Sequence, residues 1–417
     1  MKAIKGNIIH SKEFGKLEII PEGYLVYDEK GIQGLYDHKP EDIDHLDIDD
    51  YGDALVIPSF SDMHLHAPQY AMLGMGMDLP LLDWLNTYTF PTEAHFKDEK
   101  LARRIYHDLA AQLVKNGTTR VCMFSSLHVA ATLVLMEELE KVGITGYVGK
   151  VNMDRNGGVD LEEKTEDSIQ DTLRWIEASK RFHDIHPMIT PRFTPSCSNE
   201  LMEALGNIAK NHDLPIQSHL SENTGEIAWV KELHPDCLEY WETYQKYGLW
   251  NARTLMAHCV HSSESELQAI KDAGVTIVHC PSSNENLISG YASVRHMLDL
   301  GIKVVLGSDI AGGDHLSMFD NVTAAIRASK ARQIMDDGKH HFLTVEEAFY
   351  LATSAPASFF DEAPGFALGN PLHALVLDDQ KLLSVRPLDL KERFERVMYR
   401  GKEDTIVAVY SNNKKIA

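Results

Sequence analysis

The amino-acid sequence predicts an α/β chain: a (β/α)8 TIM-type barrel with a small β-sandwich domain formed by the N- and C-terminal segments. Three observations carry that expectation. Between residue 55 and about residue 335, short β-branched runs alternate with longer amphipathic ones, the pattern of parallel βα units. Histidines and carboxylates recur at the ends of several of these runs, the end at which a barrel of this type keeps its site. The flanks instead carry short alternating stretches broken by turn residues.

Taken in order, residues 16–20 and 24–27 are separated by Pro21-Glu22-Gly23 and followed by Lys30-Gly31, which predicts hairpins. The eight barrel strands are expected at 54–66, 119–125, 144–152, 188–196, 214–222, 253–261, 275–283 and 303–311. Segments 98–116, 127–142 and 262–273 look helical and run into Gly117, Gly143 and Gly274, a residue suited to a helix C-cap. The connection from Ala67 to about Lys97 is unusually long and carries Gly74, Gly76, Trp84, Tyr88, Phe90 and Pro91. Long structured loops inside compact domains are more often functional than idle, although most of these aromatics are expected to pack the loop down. The tail returns to strands at 374–377, 396–399 and 405–410. Neither flank has the length for a stable sheet by itself, so the two are expected to combine, dividing the chain into 1–57, 58–362 and 363–417.

With 417 residues, 44% of them hydrophobic and 24% charged, the chain is globular and long enough for a barrel plus a smaller domain. A formal charge of -22 argues against a nucleic-acid surface, which needs clustered Lys and Arg. A purine or pyrimidine ligand is therefore expected as a free base or nucleoside. The five cysteines include no C-x-x-C pair, and their odd number fits reduced thiols without disulfides. The N-terminus lacks the apolar stretch of a signal peptide, and no apolar run is long enough to span a bilayer. A soluble, cytoplasmic protein with no membrane partner is expected.

His64-Leu65-His66 ends the first barrel run. In an extended strand residues two apart share a face, so both imidazoles can reach one metal ion. His219, His258 and Asp309 fall at the ends of the fifth, sixth and eighth runs, and Glu222 follows His219 by three residues. Imidazole plus carboxylate suits zinc or ferrous iron and leaves room for a water. His64, His66, His219 and Asp309 are expected to hold one divalent ion, with Glu222 as proton carrier. His258 can be a ligand or a donor to the reacting oxygen; the second role is favoured, since four ligands suffice.

The residues also resemble a known family. Segment 58–70, with Pro58-Ser59-Phe60-Ser61-Asp62-Met63-His64-Leu65-His66-Ala67-Pro68-Gln69-Tyr70, is similar to the metal-binding start of the amidohydrolase superfamily. Asp78-Leu79-Pro80-Leu81-Leu82-Asp83-Trp84-Leu85 and Tyr88-Thr89-Phe90-Pro91 resemble a loop of its guanine-deaminating members. Further matches are Thr190-Pro191-Arg192-Phe193, Ser218-His219-Leu220-Ser221-Glu222-Asn223, Met256-Ala257-His258-Cys259, His279-Cys280-Pro281 and Gly307-Ser308-Asp309-Ile310-Ala311-Gly312-Gly313. The resemblance implies hydrolytic deamination of guanine to xanthine and ammonia by a metal-bound hydroxide, with one Zn2+ (or Fe2+) per chain and a homodimeric assembly. It further implies that Gln69, Arg192 and Phe193 contact the purine, that His258 stabilises the water, and that Asp309 helps remove the water proton.

Arg192 has a physical reason to be there. A guanidinium only donates, so it satisfies the O6 carbonyl of guanine and not the 6-amino group of adenine. Its competing role is a salt bridge to a barrel-rim carboxylate, and that of Gln69 is to stabilise a loop. Other mononuclear deaminases or chlorohydrolases, acting on pterins, triazines or other nucleobases, would use the same metal set, and a catalytically silent scaffold would keep the fold alone. A binuclear hydrolase is disfavoured because the fourth run offers Arg192 but no Lys. A cytidine-deaminase site is disfavoured because neither H-x-E nor P-C-x-x-C is present.

Overall fold

A computed structural model describes residues 1–41, 45–158 and 160–417 and has the mixed α/β architecture of a TIM-barrel-type fold. Strands Phe60–His66, Thr118–Phe124, Thr145–Gly149 and Ile185–Pro187 pair in parallel, as do Ile216–Leu220, Thr254–His258, Thr276–His279 and Lys303–Leu306. Nearly every residue in them is buried, as expected for parallel strands covered by helices. A parallel bridge from Ile189 to Ile216 joins the two groups on one side. On the other, the Asp309 N–H donates to the His64 carbonyl at 2.8 Å and the His66 N–H to the Ile310 carbonyl at 3.1 Å. The end of the eighth strand is thereby tied to the end of the first. Gly307 permits this approach, because a Cβ there would lie 2.8 Å from the His64 Cβ and 2.9 Å from its carbonyl oxygen.

The predicted helices appear as Glu99–Lys115, Val129–Lys141 and Glu264–Ala273. The last starts under a Ser263 cap and ends at Gly274, whose φ of 71° is the left-handed C-cap the sequence predicts. Among the described residues no helix is long and apolar enough to cross a membrane, and all five cysteines are unpaired.

Several strand expectations need correction. The run 54–66 is two strands, Asp47–Pro58 and Phe60–His66, which part at Ser59 and enter different sheets. The fourth run, 188–196, is interrupted: Ile185–Pro187 and Thr190–Pro191 pair separately, and Thr194–Ser196 is a 3-10 turn. Pro187 and Pro191 lack the N–H that a continuous ladder needs. In the seventh run the strand stops at His279 and a helix, Pro281–Asn286, follows. The two N-terminal stretches 16–20 and 24–27 are one strand, Lys16–Asp28, whose pairing with Lys2–Glu13 shifts register between Gly6 and Ile8 to pass Pro21.

The tail segment 396–399 belongs to a helix, Leu390–Arg400. Asp389 caps it by accepting the Glu392 N–H at 2.8 Å, and Phe394, Val397 and Met398 recur at helical spacing on its buried face. The N- and C-terminal segments do combine, in one seven-stranded sheet ordered Lys414–Lys415, Ile406–Ser411, Ala374–Leu377, Asp47–Pro58, Lys2–Glu13, Lys16–Asp28 and Gly31–Tyr36. Ile4, Ile8, Leu25, Val56, Val376 and Tyr410 share its apolar core. The long connection after Ala67 is a chain of short helices, including Leu81–Trp84 and Phe90–Ala94, packed over the strand ends.

Candidate active site

Parallel strands deliver their C-terminal ends to one side, and the predicted residues ride there. His64 and His66 close Phe60–His66, His219 lies in Ile216–Leu220, His258 ends Thr254–His258, and Asp309 follows Lys303–Leu306 by three residues. All five are buried. Asp309 Oδ1 lies 3.3 Å from His64 Nε2 and 3.4 Å from His66 Nε2, while its Oδ2 is 3.6 Å from His258 Nε2. His66 Nε2 and His219 Nε2 are 3.2 Å apart. One nitrogen from each of His64, His219 and His258 falls within 4.8 Å of the others.

The protonation states fit a divalent cation. The His219 Nδ1–H donates to the Arg192 carbonyl at 2.6 Å, so its Nε2 presents a lone pair. Burial lowers the pKa values of His64, His66 and His219, keeping the imidazoles neutral. Burial alone would raise that of Asp309, but the polar edges of the surrounding imidazoles, His64 foremost, favour its ionised form and hold it below the usual carboxylate range. Neutral imidazoles around an ionised carboxylate are the form in which these groups bind metal. His64 Nε2 is buried and has no hydrogen-bond partner among the described residues, an orphaned atom that a cation would satisfy. Cys280 also comes near His64 and Asp309, but burial raises its pKa well above that of a free thiol, which keeps it a poor ligand.

The backbone is strained at the same place. His258 and Asp309 adopt φ of 75° and 47°, in the left-handed region, each at a cost of about 1–3 kcal/mol that clusters at functional sites. His258 Nδ1 lies 2.8 Å from Asn284 Oδ1, to which it donates, so its Nε2 faces Glu222 and Asp309.

Glu222 is buried beside the cluster, with Oε2 3.5 Å from His258 Nε2 and Oε1 accepting from Ser289 Oγ at 3.3 Å. Burial, reinforced by the Asp309 charge, pushes its pKa well above the carboxylate range. Its backbone N–H donates to Glu226 Oε2 at 3.0 Å, and Glu226 is in turn bonded by Tyr240 at 2.7 Å. Burial raises Glu226 to about 7.

A cavity is lined by His66, His219, Glu222, His258 and Asp309 and, as a second group, by Gln69, Trp84, Arg192 and Phe193. His64 lies outside that lining. Both competing roles anticipated for the second group are present beside its place in the cavity. Arg192 Nη1 forms an ion pair with Glu93 Oε2, and its guanidinium lies 5.0 Å from the Phe90 ring centroid. Gln69 Nε2 donates to Glu93 Oε1 at 2.9 Å, and Gln69 Oε1 accepts the Ala311 N–H at 3.0 Å. Glu93 was not anticipated from the sequence. The one signal for it is that a buried guanidinium calls for a carboxylate somewhere, and nothing in the chain order says where.

Residues 55–362 match the amidohydrolase family, and the chain belongs to that family. Within it, the chain is similar to guanine deaminases. That of Dictyostelium discoideum is 38% identical, covering 100% of this chain and 98% of its own length. A solved guanine deaminase from C. acetobutylicum with bound guanine in the active site is 45% identical, with a TM-score of 0.97 and 100% of both chains covered. An adenosine deaminase from Xanthomonas campestris with bound zinc, 19% identical at a TM-score of 0.86 and covering 99% of this chain and 92% of its own, shares the fold alone.

Proposed function

We propose that this chain hydrolyses guanine to xanthine and ammonia, in purine catabolism or salvage, with His64, His66, His219 and Asp309 holding one divalent ion. The observation that carries the reading is a buried, donor-only Arg192 sharing one cavity with the histidine–carboxylate cluster and Glu222. Zn2+ suits the N/O ligand set, and Fe2+ is the alternative. Such an ion supplies Lewis-acid activation of water near neutral pH.

The side chains do the rest. Arg192 donates to O6 of guanine, Gln69 meets the purine edge, and Phe193 packs beside the ring. Asp309 accepts the proton of the attacking water as oxygen bonds to C2. Glu222 gives its proton to the adjacent ring nitrogen, which takes the electron pair of its double bond to C2. Glu222 is then reprotonated from the Asp309 side and protonates the departing amine as the C2–N bond breaks; the remaining hydroxyl proton returns to Glu222 as the C2 carbonyl forms. His258, anchored through Asn284, orients the attacking oxygen.

The same reading takes 58–362 as a closed (β/α)8 barrel and 1–57 with 363–417 as a small β-sandwich. The bonds between the first and eighth barrel strands support the closure, and the core shared by the terminal segments supports a single domain there, whose strands lie in one seven-stranded sheet. It also places a homodimer in the cytoplasm, which the five unpaired cysteines favour.

Substrate choice tests the proposal. Guanine should be deaminated on the order of 10⁴ or more faster than adenine, which would leave the Arg192 donor facing an amino group. Arg192→Ala should lower kcat/KM for guanine by at least about 10²-fold with metal content unchanged. Equal rates on the two bases in the wild type, or an Ala variant undiminished on guanine, would overturn it. Cytosine, ammeline and pterins assayed alongside by ammonia release separate the neighbouring deaminase activities.

A further inference from the structure

We propose that Glu93 is the positioning residue of the purine-binding wall: its buried carboxylate fixes Arg192 and Gln69 in one arrangement of donors, and guanine affinity depends on it. The inference rests on the guanine reading and adds a residue to it. Glu93 is 1% exposed and stands on the short helix Phe90–Ala94, 99 residues before Arg192 in the chain. Each of its oxygens serves one arm of the wall, Oε1 the Gln69 amide and Oε2 the Arg192 guanidinium.

Those contacts remove the freedom that either arm would have alone. Gln69 is held at both ends, its nitrogen by Glu93 and its oxygen by the Ala311 N–H, so its amide cannot flip. One N–H and one lone pair remain for a ligand. Arg192 is held at Nη1 by Glu93 and across its face by Phe90, three residues earlier on the same helix. Its other N–H groups remain to donate. Without Glu93 a guanidinium only 3% exposed would be buried uncompensated, at a large desolvation cost that movement toward solvent would relieve. The carboxylate is also the right chemistry for the junction. Both partners donate and an ionised carboxylate only accepts, whereas an amide would turn one N–H toward one of the two donors.

Steady-state kinetics with guanine, elemental analysis and thermal melting on metal-replete protein test this. Glu93→Gln should raise KM at least about tenfold while kcat stays within about threefold and metal content is unchanged, the pattern of lost ground-state positioning. Glu93→Asp, which keeps the charge one methylene short, should fall between wild type and Glu93→Gln, with KM raised at least about threefold. In an Arg192→Ala background Glu93→Gln should add less than about threefold to KM, because residues acting as one unit are not additive. A wild-type KM in Glu93→Gln, full additivity in the double variant, or loss of metal would each overturn the inference. Should Glu93→Gln not fold, Glu93→Asp carries the test, and an unchanged KM there overturns it equally. Failure of the metal-replete wild type to turn over guanine would instead overturn the proposed function, so the two failures are distinguishable.

Discussion

Glu222→Gln should lower kcat for guanine by about 10²–10⁴ while the metal stays bound, the usual scale for losing a positioned acid–base group. The amide is nearly the same size and can still accept from Ser289 Oγ. The fold therefore has little reason to respond. What is lost is the capacity to give up a proton and take it back. Turnover near the wild-type rate with metal retained would remove Glu222 from the mechanism, and a parallel fall in metal content would reassign it to the cation site.

His219→Ala should lose both the metal and the activity. The side chain brings one nitrogen of the cluster, 3.2 Å from His66 Nε2, with its other nitrogen locked on the Arg192 carbonyl. The three ligands left, His64, His66 and Asp309, come from the first barrel strand and from just beyond the eighth, and nothing from the fifth strand remains. They cannot hold the ion in the same geometry. Elemental analysis of metal-replete protein should find one divalent ion per chain in the wild type and a large loss in the variant. Two catalytic ions per chain, or full activity in a metal-free preparation, would contradict the single site. Because the Arg192 carbonyl anchors His219, the variant also frees a backbone acceptor in the purine-binding wall, and guanine binding should weaken with the metal.

The legible part of the site is the part written in short-range pattern. His64 and His66 share a face because a strand has period two, and Glu222 stands near His219 because it lies in the short connection between the strand end at Leu220 and the helix that begins at Thr224. Where pattern is ambiguous the sequence misleads. Segment 396–399 looks like a strand when its four residues are taken alone. It becomes a helix once the Asp389–Glu392 capping box and the apolar positions 394, 397 and 398 are taken together. Residues 54–66 form one apolar run in sequence, but the hydrogen bonding around Ser59 makes them two strands in two sheets.

By itself, the sequence determined the alternation of strand and helix, the joining of the two terminal segments, and the histidines, Asp309 and Glu222 as the chemically expressive residues. Each of these follows from periodicity, capping or spacing within a few residues. The tertiary structure alone decided how Asp309 reaches His64 and His66, which the sequence had already grouped with it, through the tie between the eighth barrel strand and the first, and that Glu93 joins Gln69 to Arg192. These partners lie 24 to 99 residues apart or farther in the chain. Their meeting depends on loops that the hydrophobic pattern does not describe. What selects them is the cost of leaving a buried charge unpaired, which appears only once the chain has folded around it.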